Sequence, residues 1–226
     1  MAARLRRTLL AVVAAAGLTG PVPAAAGADD ASEAGGGFDF YVLSLSWSPS
    51  YCEAEGSHAN RQQCGAARPY AFVVHGLWPQ FERGGYPQKC DTEGRKVPER
   101  MLRKLYDIMP SAGLIRYQWQ KHGSCSGLSQ SDYFDAVRAA RAKVVIPEEF
   151  RRLDAYRSLD PQEAEAAFLR ANPGLPVDGV SVTCDNRLLR EVRICLTRKL
   201  AFRSCGEVDR RSCRRKKVAM PPVRGG

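Results

Sequence analysis

The alternation of apolar and polar positions predicts strands near both ends of the chain. At the N-terminal side, Phe38, Phe40, Val42 and Leu43 lead into Trp47 and predict a strand that ends at Ser48-Pro49. Residues 71–75 predict a second strand, and Gly76 allows the backbone to bend sharply after it. The last third of the chain shows a strand period again, at Val180, Val182, Cys184, Val192, Ile194, Leu196, Leu200 and Phe202.

Between these strands the apolar positions follow a helical period. Pro98 fits the first turn of a helix that carries Met101, Leu102 and Leu105 on one face and stops before Pro110. The next helix is predicted from residue 112 to 122, with Gly123 at the position that ends helices in a left-handed turn.

Further helices are predicted in the middle of the chain. Ser131 or Asp132 can cap a third helix, and Pro147 starts a short fourth. The run Asp160-Pro161-Gln162-Glu163 resembles a capping box and opens a helix to Ala171. Strands, then helices, then strands predict an α+β domain with a central, largely antiparallel sheet flanked by helices.

The N-terminal segment has the composition of a secretory signal. Basic residues at positions 4, 6 and 7 precede an apolar run from 9 to 18 that is too short for a membrane anchor, and small residues follow. We therefore predict a signal peptide over residues 1–28, a flexible leader over 29–37, one globular domain over 38–214 and a basic C-terminal tail over 215–226.

The cysteines indicate an oxidising destination, secreted or periplasmic. All eight follow the predicted signal, and an even number in an exported chain is typical of four disulfides. Zinc binding is the alternative, but no two cysteines show the Cys-x-x-Cys spacing of structural zinc sites. They are Cys52, Cys64, Cys90, Cys125, Cys184, Cys195, Cys205 and Cys213.

The chain is basic, with a formal net charge of +10 that becomes +7 if the three arginines of the signal are removed. A positive surface favours polyanions and captures them in a salt-dependent way. The basic cluster between residues 210 and 217 can equally be a solvated end. Charge therefore permits a nucleic-acid partner without requiring one.

Two of the three histidines lie in segments suited to acid–base chemistry. His75 ends a predicted buried strand, and His122 ends a predicted helix on the same face as Gln118 and Lys121. Lys121 disfavours a charged His122, so His122 suits a general base, and the ammonium suits a phosphate that gains charge. The third histidine, His58, lies in a polar loop, where we expect it to be exposed and idle.

These two segments resemble the blocks that mark the ribonuclease T2 family. They stand here as His75-Gly76-Leu77-Trp78-Pro79 and as Gln118-Trp119-Gln120-Lys121-His122-Gly123-Ser124-Cys125. The resemblance extends to residues 38–52, 86–90 and 189–195, and so covers nearly all of the predicted mature chain.

The resemblance implies a metal-independent endoribonuclease that forms a 2′,3′-cyclic phosphate with little base preference. His122 would be the general base on the 2′-hydroxyl, and His75 the general acid on the 5′-oxygen. Lys121 would stabilise the phosphorane, while Trp78 and Tyr86 would offer aromatic faces to a base. The substrate that the resemblance implies is RNA. We also expect the protein to be a monomer, to need no cofactor or metal, and to have no membrane anchor in its mature form.

The resemblance also implies a disulfide pattern, which spacing alone cannot supply. The implied pairs are Cys52 with Cys64, Cys90 with Cys125, Cys184 with Cys213, and Cys195 with Cys205. The second pair would tie the helix that bears His122 to the loop after Trp78.

Two positions depart from the family pattern. Gln118 stands where the family usually has an acidic residue, and Tyr117 stands where an additional histidine is often found. A neutral amide can donate a hydrogen bond to phosphate, but it cannot raise the pKa of a neighbouring imidazole as a carboxylate would. Gln80 stands where an acidic or amide side chain often contacts the base, which leaves base preference open.

Two other classes of protein remain as alternatives. One is a catalytically weak or inactive relative that binds RNA through its positive surface, although both histidines and Lys121 are present. The other is a secreted metal-dependent hydrolase, which EDTA would inactivate.

Overall fold

The structure is a computed structural model that describes residues 37–65, 69–90 and 96–223. The predicted signal peptide and all of the predicted leader except Gly37 lie outside the described residues. No helix in the described part of the chain is both long and apolar enough to cross a membrane.

Four strands form an antiparallel sheet in the spatial order β2-β1-β5-β4, and two short strands, β3 and β6, pair antiparallel in a second sheet. The predicted α+β fold with a largely antiparallel sheet is therefore confirmed. The strands are β1 Phe40–Trp47, β2 Phe72–Gln80, β3 Arg157–Leu159, β4 Val180–Cys184, β5 Leu189–Leu196 and β6 Val218–Met220.

The helices lie mainly between β2 and β4 in the chain. They are α1 Ser48–Glu55, α2 Arg61–Cys64, α3 Glu99–Arg103, α4 Ala112–Lys121, α5 Gln130–Lys143, α6 Pro161–Ala171 and α7 Gly206–Asp209. Short 3₁₀ turns occupy Gly56–His58, Gly123–Cys125, Glu148–Phe150 and Val177–Gly179. Asp160 caps α6 as predicted, because its side chain accepts a hydrogen bond from the Gln162 amide.

The two faces of the sheet bury different sets of side chains. Alternate side chains of β1, at positions 41, 43, 45 and 47, pack into the main core with the apolar faces of α4, α5 and α6. The other face carries a small apolar cluster of Phe40, Val42, Cys195, Cys205 and Val208, with Trp78 packed against it. We call this second side the cleft face, because the candidate catalytic residues lie there.

The structure corrects several local predictions. The β2 strand does not bend after Gly76 but continues to Gln80. The residues predicted to form a last strand make only an isolated bridge between Leu196 and Phe202. Ser129, rather than Ser131 or Asp132, caps α5, because its hydroxyl accepts from the Asp132 amide.

Gly123 also differs from its prediction. Its φ angle is not positive, and it begins a 3₁₀ turn instead of forming a left-handed helix cap. A Cβ at this position would lie 2.6 Å from the Trp119 ring and 2.7 Å from the Tyr133 ring. Close packing of two aromatic side chains, and not backbone conformation, therefore requires glycine here.

The domain continues past the predicted boundary at residue 214. Val218 and Met220 are buried in β6, and the indole of Trp47 donates a hydrogen bond to the Pro221 carbonyl. The predicted boundary at residue 214, followed by a basic tail over 215–226, therefore falls too early, because the apolar side chains of residues 218–223 complete the core. Arg214, Arg215, Lys216 and Lys217 remain exposed.

All four disulfides implied by the resemblance are present. They join Cys52 to Cys64, Cys90 to Cys125, Cys184 to Cys213, and Cys195 to Cys205.

Candidate active site

A bulge in β2 brings His75 and Trp78 to the same face of the sheet. Ser44 of β1 pairs with Gly76 and Leu45 pairs with Val74, which leaves His75 as an extra residue on β2. In a regular strand, side chains three residues apart point to opposite faces. The extra residue removes that alternation, and the rings of His75 and Trp78 lie 5.2 Å apart, centroid to centroid.

His75 is held from β5 by a contact with a carboxylate. Its Nδ1 contacts the Oε1 atom of Glu191, and the Glu191 Oε2 atom accepts hydrogen bonds from Arg193 Nε at 3.0 Å and Nη2 at 2.8 Å. Burial alone would raise the pKa of the Glu191 carboxyl, but the contacts with His75 and Arg193 outweigh it and lower that pKa to about 2. Glu191 is therefore ionised near neutral pH.

His122 lies at the C-terminal end of α4 and is 4% exposed. Burial, followed by the charges of Lys121 and His75, lowers the pKa of its imidazole to about 3. Its Nδ1 is buried and has no hydrogen-bond partner among the described residues, so no contact there stabilises a charged ring. The structure thus keeps His122 neutral over most of the pH range.

The Trp78 ring contacts both histidines. Its ring centroid is 5.2 Å from that of His75 and 5.4 Å from that of His122. The indole Nε1 donates a 2.7 Å hydrogen bond to the buried Gln118 Oε1. Gln118 therefore orients the indole. The sequence did not predict this hydrogen bond.

Gly76 makes this arrangement possible. A Cβ at residue 76 would lie 2.1 Å from Gln118 Oε1 and 2.3 Å from Trp78 Nε1. No side chain fits at that distance, so the hydrogen bond between Trp78 and Gln118 requires glycine beside it.

Lys121 and two tyrosines form the more exposed rim of the site. The Lys121 Nζ atom lies 5.6 Å from the Tyr86 ring centroid and 5.5 Å from that of Tyr117. The hydrogen bond with the Tyr117 hydroxyl raises the pKa of the ammonium, which therefore stays charged. Tyr86 also lies 5.3 Å from the His122 ring, so the rim is continuous with the buried part of the site.

Covalent and hydrogen-bonded links hold β2, α4 and the loop that bears Tyr86 together. The Cys90–Cys125 disulfide joins this loop to the turn after His122, and the Cys90 amide donates to the Ser124 hydroxyl. The hydroxyl of the fully buried Tyr133 donates a 2.9 Å hydrogen bond to the Leu77 carbonyl on β2. The two histidines therefore sit on elements whose relative positions are fixed.

The structure brings together all seven residues predicted for the site: His75, His122, Lys121, Gln118, Tyr117, Trp78 and Tyr86. Glu191 and Arg193 also contact the site, and no sequence motif predicted a role for them. Their signal in the sequence was weak: two charged residues that flank Val192, in a strand that also carries Arg190. His58 lies in the exposed Gly56–His58 turn, where it was expected.

No group of three or more His, Cys, Asp or Glu side chains within residues 37–65, 69–90 and 96–223 is arranged to hold a metal ion.

The chain is similar to known ribonucleases in sequence. The Ribonuclease T2 family profile matches residues 38–205. "Ribonuclease" from Aeromonas hydrophila is 38% identical over 191 residues, which cover 77% of this chain and 85% of that protein. "Ribonuclease I" from Escherichia coli (strain K12) is 28% identical over 203 residues, with 71% and 76% covered.

Solved structures show the same fold. RNase NT in complex with 5′-AMP superposes with a TM-score of 0.64 at 25% identity, covering 82% of this chain and 98% of that one. Trichomaglin, described as an S-like ribonuclease, superposes with a TM-score of 0.66 at 23% identity and the same coverage.

The disulfide-linked α+β fold and the similarity to these proteins place the chain among the ribonucleases. Within that class, the chain belongs to the ribonuclease T2 family, and it is a ribonuclease.

Proposed function

We propose that this ribonuclease is a metal-independent endonuclease for single-stranded RNA that forms 2′,3′-cyclic phosphate ends with low base specificity. The observation that carries the proposal is that two imidazoles meet at one indole, with their ring centroids 5.2 and 5.4 Å from that of Trp78, and that Lys121 is next to His122 in the chain. Each part of this reaction uses a group of the chain or the RNA's own hydroxyl.

His122 is the proposed general base. A base must be neutral before it accepts a proton, and the pKa of about 3 meets this condition at any ordinary pH. The proton of the ribose 2′-hydroxyl moves to the imidazole as the 2′-oxygen attacks the adjacent phosphorus. DNA lacks this hydroxyl, so the mechanism selects RNA.

His75 is the proposed general acid. Its side chain is 36% exposed, whereas that of Glu191 is 11% exposed, so the imidazole reaches the cleft while its carboxylate partner stays behind it. The acid gives a proton to the 5′-oxygen as the bond between phosphorus and that oxygen breaks. The products are a 2′,3′-cyclic phosphate and a free 5′-hydroxyl.

The rim residues are the proposed binding groups. The Lys121 ammonium would stabilise the charge on the phosphorane, and Trp78 and Tyr86 offer aromatic faces on which any base can stack. Tyr86 is 39% exposed and Tyr117 is 48% exposed, so both are open to a ligand. RNase NT, a similar protein, has been solved with 5′-AMP, which supports a nucleotide-sized cleft.

The proposal is tested with RNA in the presence of EDTA. We expect the parent chain to release fragments with 2′,3′-cyclic phosphate ends, to leave DNA intact, and to cut poly(A), poly(U) and poly(C) at comparable rates. His75→Ala and His122→Ala should each lower kcat/KM by about 100-fold or more, because each removes one proton-transfer group.

His58→Ala is the matched control, since it removes the third histidine from an exposed turn, and its activity should equal that of the parent. Retention of intact RNA by the parent chain would favour an RNA-binding relative without activity. Loss of activity in EDTA would favour a metal-dependent hydrolase. Either outcome contradicts the proposal.

We also propose export to an oxidising compartment, secreted or periplasmic. Four disulfides link the described part of the chain, and such bonds persist where thiols are not kept reduced. Finding the protein, with its disulfides formed, in the medium or the periplasm of its host would support this; finding it reduced in the cytosol would contradict it.

A further inference from the structure

We propose that Glu191 and Arg193 are positioning residues that orient His75 for proton donation to the leaving 5′-oxygen. This inference rests on the proposed function, because it assigns a support to the general acid of that reaction. It concerns a carboxylate and a guanidinium on β5, two strands away from the histidine they serve.

The sheet is built so that these side chains can meet across β1. Glu191 pairs with Ser46, and Arg193 pairs with Ser44, on the strand that separates β5 from β2. Leu43, Leu45 and Trp47 point into the main core, so the two serines point to the cleft face.

Serine is small enough to leave space above the middle strand. The Glu191 carboxylate occupies that space and reaches the His75 imidazole on the far side. A long side chain at position 44 or 46 would occupy it instead. The sequence of β1 thus matches the contact between its two neighbours.

The carboxylate contact selects one nitrogen of the imidazole for catalysis. An ionised carboxylate only accepts hydrogen bonds, so His75 Nδ1 must carry a proton and donate it to Glu191. Nε2 is then the nitrogen left for the substrate. The same geometry occurs wherever a carboxylate orients a catalytic histidine.

Arg193 restrains the carboxylate from its other side and connects it to the indole. Two guanidinium nitrogens bond the Glu191 Oε2 atom, and the guanidinium carbon lies 5.3 Å from the Trp78 ring centroid. The indole in turn contacts His75. His75 is therefore held by a closed ring of contacts that runs through Glu191, Arg193 and Trp78.

In the reaction, the proton on His75 Nε2 moves to the 5′-oxygen and the bond between phosphorus and that oxygen breaks. The Nδ1 proton stays on the ring and continues to bond Glu191. The carboxylate therefore gains no proton, and its role is orientation and charge, not proton transfer.

The test compares two substrates that differ in their need for an acid. A dinucleoside phosphate expels a basic 5′-alkoxide, whereas uridine 3′-(4-nitrophenyl phosphate) expels a stable phenolate that needs no proton. We expect Glu191→Gln to lower kcat/KM for the dinucleoside by about 10- to 100-fold, part of the contribution of a general acid. For the nitrophenyl ester, the same substitution should lower kcat/KM by less than about threefold.

Glu165→Gln is the matched control. Glu165 is a partly buried carboxylate that accepts a hydrogen bond from the Val182 amide, outside the cleft. Glu165→Gln should change kcat/KM by the same factor for both substrates, or leave both unchanged. An equal loss on both substrates in Glu191→Gln would show a merely structural role and overturn the inference.

His75→Ala separates this inference from the proposed function. If His75 is the acid, His75→Ala shows the same selective loss, and adding Glu191→Gln to it has no further effect. If His75→Ala affects both substrates equally, the proposed function itself fails. If His75→Ala is selective and Glu191→Gln is not, only the inference fails.

A measurement on the unchanged protein keeps the inference testable should Glu191→Gln not fold. ¹⁵N NMR of the neutral His75 ring should show the proton on Nδ1, as the contact with Glu191 requires. A ring that carries its proton on Nε2 would overturn the inference.

Discussion

At the scale of single residues, the chemistry of the site is set by which groups are buried and which are paired. His122 is buried without a carboxylate, so its pKa falls, while Glu191 is buried in contact with His75 and Arg193, which lower its pKa despite the burial. For a base the shift keeps the neutral form; for a carboxylate it keeps the charged form. Both residues are therefore in their proposed working state near neutral pH.

The low pKa of His122 predicts where activity is lost in acid. The rate, as kcat/KM, should fall only when His122 becomes protonated, near pH 3, and not near its ordinary value of 6.5. Gln118→Glu places a carboxylate one helical turn before His122. Its charge raises the pKa of the imidazole and should move the acid limb of the pH–rate profile to higher pH.

Gln120→Glu is the control for this profile, since it adds a carboxylate at a different angle around the same helix. Its acid limb should stay where it is in the parent. An unchanged profile in Gln118→Glu would show that residue 118 does not act on the base electrostatically.

Gly76 provides a steric prediction. Gly76→Ala forces a methyl group against Gln118 and Trp78, so we expect kcat/KM to fall by about 10- to 100-fold as the indole shifts. Gly113→Ala on α4 meets no atom closer than 4.0 Å and should leave activity unchanged while raising stability by up to about 1 kcal/mol. Equal activity in both variants would contradict the steric argument.

At the scale of elements, the site depends on how three pieces of chain are joined. The bulge in β2 turns His75 and Trp78 to one face, α4 delivers Gln118, Lys121 and His122, and the Tyr86 loop closes over them. The helix was predictable within one residue, because its cap and its apolar period are local features. The bulge was not predictable, because an extra residue is defined only by the partner strand.

The disulfides predict a separation between stability and activity. Removing Cys90–Cys125 by two serine substitutions should lower stability by about 4 kcal/mol, as expected for a loop of 35 residues, and also reduce activity. Removing Cys52–Cys64, which closes 12 residues between α1 and α2, should cost about 3 kcal/mol with full activity below the melting temperature. Thermal unfolding measures the stability of each variant, and rates at 25 °C measure its activity. An equal loss of activity in the two variants would contradict the prediction that the Cys90–Cys125 disulfide holds the site together.

At the scale of the whole molecule, part of the positive charge lies on one exposed segment, residues 214–217. The basic segment 214–217 follows Cys213, which is bonded to Cys184, and precedes β6, which pairs with β3. Its cations are therefore presented on a loop that is anchored at both ends, where the sequence had suggested a solvated end.

Anchored cations should strengthen the capture of long RNA. Replacing Arg214, Lys216 and Lys217 by glutamine should flatten the dependence of log KM on log salt by up to about 0.7 for each phosphate that is no longer neutralised, with dinucleoside kinetics unchanged. Arg100, Arg103 and Lys104, exposed on and beside α3, are the control set of equal charge. The same effect in both sets would assign the slope to net charge and not to this segment.

Local features of the chain were enough to predict the four strands of the main sheet and the longer helices, the residues proposed for proton transfer, and the family resemblance, which in turn implied the disulfide pattern. Apolar period, caps and motifs are properties of neighbouring residues, so they can be recognised along the chain. Long-range packing alone established that Glu191 faces His75, that Gln118 bonds Trp78, and that residues 218–223 complete the core. Those contacts join positions 40 to 174 residues apart, and only the register of the sheet and the packing of α4 bring such positions together.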